Sequence, residues 1–219
     1  MGAPAPQPPY EALLERARAL TTGPRRVLGL TGPPGAGKST LAARLVADLG
    51  PRRAVLVPMD GFHLANRVLD ALGRRDRKGA PDTFDASGYV ALLRRLRPGA
   101  EDGAEDGAED VVHAPEFRRD LDEPVGSALP VPREVPLVVT EGNYLLLREG
   151  PWAALEGLLD ETWYVAPDER LRIERLVARH EEFGRTPEQA RAWALGSDGA
   201  NAAVVAASAH RADLLVDPG

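Results

Sequence analysis

The sequence predicts an α/β protein, a mainly parallel sheet with helices on both faces. Three observations carry that expectation. Five short apolar runs, "RVLGLTG", "AVLVP", "PLVVTEG", "ETWYVA" and "ADLLV", alternate with segments of helical periodicity. The stretch "GPPGAGKS" lies between the first run and a helix. Two other runs deliver an acid, Asp60 and Glu141, to their C-terminal ends, the edge at which open α/β sheets bind ligands.

Taken in chain order, residues 1–9 are Pro/Ala-rich and read as a disordered tail. Residues 10–219 read as one domain, a size that 219 residues fit comfortably. "YEALLERARALTT" places Leu13, Leu14, Ala17 and Leu20 at helical spacing before Gly23-Pro24 stops it. The run "RVLGLTG" meets glycine as a buried strand does, and residues 38–49 form a helix closed by Gly50-Pro51. "AVLVP" leads to Asp60. "SGYVALLRRLRP" is an amphipathic helix with Ser87 as its N-cap. Three tetrapeptides, "GAEDGAEDGAED", then fill residues 99–110. They are glycine-broken and acidic, which fits a solvated loop insertion rather than a metal site of fixed geometry. "PLVVTEG", "ETWYVA", the charged helix "DERLRIERLVARHEE", a helix capped by Thr186 with Pro187 at its first position and the strand "ADLLV" complete the chain.

Composition narrows the function classes. Hydrophobic residues make up 43% and charged residues 27%, enough for a real core. A net charge of -6 argues against a broad nucleic-acid surface. The absence of cysteine removes disulfides, thiolate zinc sites and cysteine nucleophiles. The N-terminus lacks a basic region followed by an apolar core, and no window approaches the about 18 apolar residues that span a bilayer. A cytoplasmic protein without membrane partners is expected.

Gly32 to Ser39 match the P-loop pattern GxxxxGK[ST] in full. Its glycines let backbone N–H groups of Gly32, Pro33, Pro34, Gly35, Ala36, Gly37, Lys38, Ser39 and Thr40 wrap a phosphate, proline nitrogens excepted. Lys38 reaches the β- and γ-phosphates, Ser39 supplies a hydroxyl to Mg²⁺, and the helix dipole adds to the attraction. A nucleoside triphosphate site follows. The sequence has no NKxD-like guanine reader, which points to ATP.

"MDGFH", "RKGAPDTFD", "APEF", "TEGNYLLL", "RLVARHEEFGR" and "RADLLV" follow one another in a set order. In that order the chain resembles the P-loop kinases that include uridine kinase, bacterial type I pantothenate kinase and phosphoribulokinase. It is most similar to their short bacterial members of the nucleoside/nucleotide kinase family, some labelled fructose transport system kinases. The resemblance runs from about Val27 to the end. It implies a P-loop NTPase α/β/α fold with a five-stranded parallel sheet in order 2-3-1-4-5, a helical lid, and ATP with Mg²⁺ as cofactors. Asp60 matches the acid that takes the proton of the attacking hydroxyl, although an Asp before Gly61 also serves as an ordinary turn residue. Glu141 matches the acid that serves the Mg²⁺ site together with Ser39. Among the lid arginines, Arg179 and Arg185 match best and Arg175 next, as clamps on the transferring phosphate. By spacing alone the same helix reads as a solvated face laced with Glu–Arg pairs.

The implied activity is transfer of the γ-phosphate to a hydroxyl of a small metabolite, whether nucleoside, pantothenate-like or sugar. The alternative is a regulatory or transport-associated P-loop ATPase. "RKGAPDTFD" follows the pantothenate-kinase form of its loop. Gly79 stands where uridine kinases carry a ribose-binding Asp, which counts against uridine. Lys78, Asp85 and Arg118, beside Asp60, are candidate acceptor ligands, and each reads equally well as a surface ion-pair partner. Expected partners are the hydroxyl acceptor and, as an open option, a second copy in a homodimer.

Overall fold

The computed structural model describes residues 8–97 and 109–217. Its strands are β1 (Arg26–Thr31), β2 (Ala54–Pro58), β3 (Val111–Arg118), β4 (Glu123–Pro132), β5 (Leu137–Gly142), β6 (Glu161–Val165) and β7 (Leu214–Val216). Five of them form a sheet in the order β2-β5-β1-β6-β7, and every pairing in it is parallel. Counted along the chain without the β3–β4 pair, that order is 2-3-1-4-5, as the resemblance implies.

Strict alternation along the central strands explains their apolar runs. On β5, Leu137 and Val139 face one layer, while Val138 faces the other and Thr140 bonds into it. The first layer holds α1 (Tyr10–Ala19) and α2 (Lys38–Leu49), which bury Leu13, Ala17, Leu41 and Leu45 against Leu28, Leu30 and Trp163. Past the short helix α3 (Asn66–Ala71), the second holds α4 (Ala86–Leu96) and the 3₁₀ segment Gly150–Leu155, which bury Tyr89, Leu93, Leu96 and Trp152 against Val27 and Val138. Covered on both faces, such strands need not alternate polar and apolar residues in sequence. The one polar side chain that β5 turns into the second layer is fully bonded. Thr140 Oγ1 donates to the Val57 carbonyl at 2.6 Å and lies 2.6 Å from the Tyr89 hydroxyl, which avoids the penalty of a buried unpaired group.

Two features depart from the sequence reading. Ser87 does not cap α4. The cap is Asp85, whose Oδ1 accepts from the Gly88 N–H at 2.8 Å. The helix therefore starts two residues earlier than the apolar pattern suggests. The second lies at residues 111–132, to which the sequence reading assigns no element and which form a hairpin. β3 and β4 pair antiparallel, with an irregularity between Ala114 and Glu116. This hairpin packs on the turn Met59–Phe62 so closely that a Cβ on Gly61 would run into the carbonyl of Pro115. The glycine after Asp60 thus serves hairpin docking as well as the turn.

Beyond β6, Asp168 caps α5 (Glu169–Glu182) by accepting from the N–H groups of Arg170 and Leu171. Thr186 and Gln189 form a capping box at α6 (Pro187–Leu195), and α7 (Ser197–Ala206) follows. The acidic repeats at 99–110 fall almost entirely outside the described residues, as does most of the 1–9 tail. At their described end, Glu109 makes a bidentate pair with Arg95.

Candidate active site

The site assembles at the C-terminal ends of three neighbouring strands. β1 runs through Thr31 into the P-loop. Glu141 on β5 stands level with Leu30 of β1 and Pro58 of β2. Asp60 follows β2 by two residues, in the turn Met59–Phe62. Register therefore brings the P-loop and both acids to one edge.

Within the loop, Gly37 takes a left-handed φ of 91° at the cap of α2, a conformation that costs a residue with Cβ. Lys38, the first residue of that helix, is only 7% exposed. Its Nζ donates to the Pro33 carbonyl at 3.0 Å and to Asn143 Oδ1 at 2.8 Å. Burial pushes its pKa down to about 8, against the pull of Glu141 and Asp60. Ser39 Oγ donates to Glu141 Oε1 at 3.0 Å. Burial, followed by the Asp60 charge, holds the Glu141 carboxyl well above the usual carboxylate range, while Lys38 and Ser39 pull it back.

These donors fit Mg²⁺. A hydroxyl and a carboxylate in direct contact are hard oxygen ligands, and Mg²⁺ takes few protein ligands because phosphate oxygens and waters complete its shell. Among the described residues there is no cluster of three or more His, Asp or Glu side chains of the kind a fully protein-held metal needs.

Asp60 is one-third exposed, and Arg119 at the hairpin tip brings Nη2 to 3.8 Å from its Oδ2. Behind it, His63 Nδ1 lies 2.7 Å from the Asp60 carbonyl, with its ring between Phe84 and Phe117, centroids 4.0 and 4.7 Å away. Burial lowers the pKa of His63, so this imidazole packs the turn as a neutral ring.

Three lid arginines were expected at the phosphates, and they separate in the structure. Arg179 is half-buried; burial, then the nearby charge of Arg119, lowers its pKa, while Asp198, Asp60 and Glu141 oppose that. Arg185 instead stacks over the Trp193 ring at 3.7 Å. Arg175 is half-buried one turn before Arg179. Sequence reasoning missed Arg172, the arginine most firmly joined to the loop. At 2% exposed, it donates from Nη1 to the Pro34 carbonyl at 2.9 Å and forms a two-bond pair with Glu169. Arg172, Leu176 and Arg179 share one helix face at i, i+4 and i+7, a spacing that was legible. Asn143, two residues after Glu141 in "TEGN", was missed as well.

The acceptor candidates fare unevenly. Asp60 faces the loop. Lys78 donates to Asn66 Oδ1 at 2.7 Å and to the Asp122 carbonyl at 2.6 Å, tying the segment before Gly79 to the hairpin. Asp85 is the α4 cap, and Arg118 is spent on a two-bond pair with Asp120. A cavity of about 480 Å³ lined by Phe84, Trp152, Leu147 and Val204 shares no residue with the P-loop.

A strand, a glycine-lined phosphate loop and a buried lysine beside two strand-end acids define a P-loop nucleotide-binding protein. The family model described as methylmalonyl Co-A mutase-associated GTPase MeaB matches residues 3–60, the stretch with the loop and its flanking strands. Over nearly the whole chain the similarity is to kinase-named proteins and one without an assigned activity. The Escherichia coli protein called "Uncharacterized protein YggC" is 36% identical over 215 residues, 95% of this chain and 85% of that protein. A Schizosaccharomyces pombe protein called "Putative uridine kinase" is 32% identical over 180 residues, 78% of this chain and 73% of its own length. The crystal structure of a Silicibacter protein titled "putative fructose transport system kinase" superposes with a TM-score of 0.81 at 34% identity, covering 95% and 98% of the two chains. The chain belongs to the P-loop nucleoside/nucleotide kinase family, within the superfamily of uridine and pantothenate kinases.

Proposed function

We propose that this chain is an ATP-dependent kinase that transfers the γ-phosphate of ATP to a hydroxyl of a small metabolite. The observation that carries the reading is the shared strand edge: Lys38 and Ser39 on the loop, Glu141 one strand over and Asp60 two strands over. A P-loop ATPase that works as a switch needs the first three. An acid placed beyond them, partly open to solvent, suits a reaction in which an alcohol must be aligned and deprotonated.

In this reading the loop N–H groups and Lys38 hold the phosphates, and Ser39 with Glu141 would hold Mg²⁺, which when bound neutralises phosphate charge. Asp60 accepts a hydrogen bond from the acceptor hydroxyl and takes its proton as the oxygen bonds to the γ-phosphorus. The bond from that phosphorus to the bridging oxygen breaks, and ADP leaves. Arg179 faces the same acids from the α5 side and stabilises charge on the group in transfer. Arg172 holds the loop through Pro34 rather than touching phosphate. The sequence lacks an NKxD-like guanine reader, which favours ATP over GTP despite the GTPase family match.

ADP release measured across nucleosides, hydroxy acids, sugars and sugar phosphates tests the proposal. Turnover stimulated by an alcohol, with a phosphorylated product, supports it. A constant ATPase rate whatever alcohol is added would leave the switch reading in its place. No helix among the described residues is long and apolar enough to cross a membrane.

A further inference from the structure

The hairpin that the sequence left unassigned carries two adjacent arginines with opposite fates. Arg118 gives both arms of its guanidinium to Asp120, at 2.9 and 2.8 Å. Arg119 turns toward the site instead, and its ion pair is the 3.8 Å approach of Nη2 to Asp60 Oδ2. That separation is too long for a hydrogen bond. Among the described residues the Arg119 guanidinium makes no hydrogen bond; only its backbone carbonyl accepts one, from the Asp122 N–H, and the side chain is 46% exposed. Its charge still reaches the site. It opposes the rise of the Glu141 pKa and lowers that of Arg179.

Topology decides which side of the reaction this cation serves. Arg172 and Arg179 come from α5, which follows β6, on one flank of β1 and its loop. The hairpin packs on the Met59–Phe62 turn after β2, at the opposite end of the sheet. Arg119 therefore approaches from the acceptor flank, across Asp60, while the triphosphate lies over β1. A guanidinium fork without hydrogen bonds, aimed at the base from that flank, is suited to a carboxylate or phosphate by paired N–H···O bonds. A neutral acceptor would leave it only the distant pair with Asp60.

We propose that Arg119 is the specificity residue of the acceptor site, and that the acceptor is a small alcohol carrying its own anion, a carboxylate or a phosphate ester. The anion docks on Arg119, and the hydroxyl a few bonds away reaches Asp60. This rests on the kinase reading above and adds the substrate class to it.

Matched acceptors that differ in the anion test it: D-glycerate against glycerol, and ribose 5-phosphate against ribose. Each is assayed by ADP release with wild type and Arg119→Gln, and by calorimetric binding in the presence of a non-hydrolysable ATP analogue. The glycerate arm reads carboxylate and the ribose arm reads phosphate ester. At least one anionic member should bind and turn over better than its neutral partner. Arg119→Gln should raise KM for that anion by about 10- to 100-fold, the range of a lost hydrogen bond to a charged group. Its kcat should stay within a few-fold, KM for ATP should not move, and Arg119→Lys should restore part of the loss. Preference for the neutral partners overturns the proposal. So does a uniform fall in kcat or a raised KM for ATP in Arg119→Gln, either of which would make Arg119 a phosphate clamp. Anion binding that depends on Arg119 without turnover would sustain the anion site and sink the kinase reading. Failure of every anion to bind wild type would sink the anion site.

Discussion

Lys38 and Arg119 are cations that face the same pair of acids, and they are held in opposite ways. Lys38 is 7% exposed and anchored by two hydrogen bonds. It sits on a loop where Gly32 and Gly35 leave no room for a side chain: a Cβ on Gly35 would lie 2.8 Å from the Arg172 carbonyl, and one on Gly32 2.4 Å from that of Val165. Arg119 is nearly half exposed, on the tip of a two-stranded hairpin, with one long ion pair. In the proposed reading the phosphate flank meets a group that never varies, and it does so with backbone geometry. That demands fixed glycines at fixed spacing and leaves a motif. In the proposed reading the acceptor flank reads its ligand with side chains on an edge element, which can change without disturbing the core.

If that contrast is right, damage to the first flank should be severe and general, and damage to the second selective. Lys38→Ala should abolish ATP-dependent phosphorylation. Its circular dichroism and melting should remain those of a folded protein, because Lys38 bonds to the loop rather than to the apolar core. Undiminished turnover in the folded variant would remove the loop from the reaction. A smaller but still general effect is expected for Arg172→Met. The methionine keeps the stem packing, but the Pro34 carbonyl loses its donor, which costs about 1–3 kcal/mol. Glu169 is 69% exposed and is not stranded in the core by the change. Thermal melting should fall by a few degrees, and KM for ATP should rise for every acceptor alike. An unchanged KM for ATP would mean that α5 does not steady the loop.

The smallest effect belongs to Asp85. As the α4 cap, it should lose about 1 kcal/mol on Asp85→Ala, seen as a lower denaturation midpoint, with kcat and acceptor KM within two-fold. A large rise in acceptor KM at unchanged stability would return Asp85 to the acceptor pocket and blur the division between the two flanks.

The same division explains what could be read from the sequence. The five sheet strands, the P-loop and the edge positions of Glu141 and Asp60 were legible because buried parallel strands are continuous apolar runs, and β1, β5 and β2 carry or lead into those residues. The hairpin was not. "VVHAPEFR" and "EPVGSALPVP" carry Pro115, Pro124, Pro130 and Pro132, residues that argue against strand in a central position and are tolerated only at an edge or irregularity. β3 and β4 form a two-stranded sheet of their own with an irregularity next to Pro115. The orientation of Arg119 is illegible for a related reason: nothing in "FRRD" says that Arg118 pairs with Asp120 while Arg119 approaches Asp60. On α5, several arginines obscured the one that is buried, although the 172-176-179 face was there to be seen. Asp85 and Ser87 are both able to cap, and only the backbone path separates them.

The account stands on Asp60 as the group that accepts the hydroxyl proton, and Asp60→Asn tests it most directly. Asparagine keeps the shape and serves the turn as well as aspartate does, but it cannot take the proton. With ATP affinity measured by calorimetry and phosphoryl transfer by product formation, the account predicts near wild-type ATP binding and a kcat lower by about 10²–10⁴-fold, the usual worth of a positioned base. A kcat within a few-fold of wild type would contradict it and leave Asp60 as a turn residue.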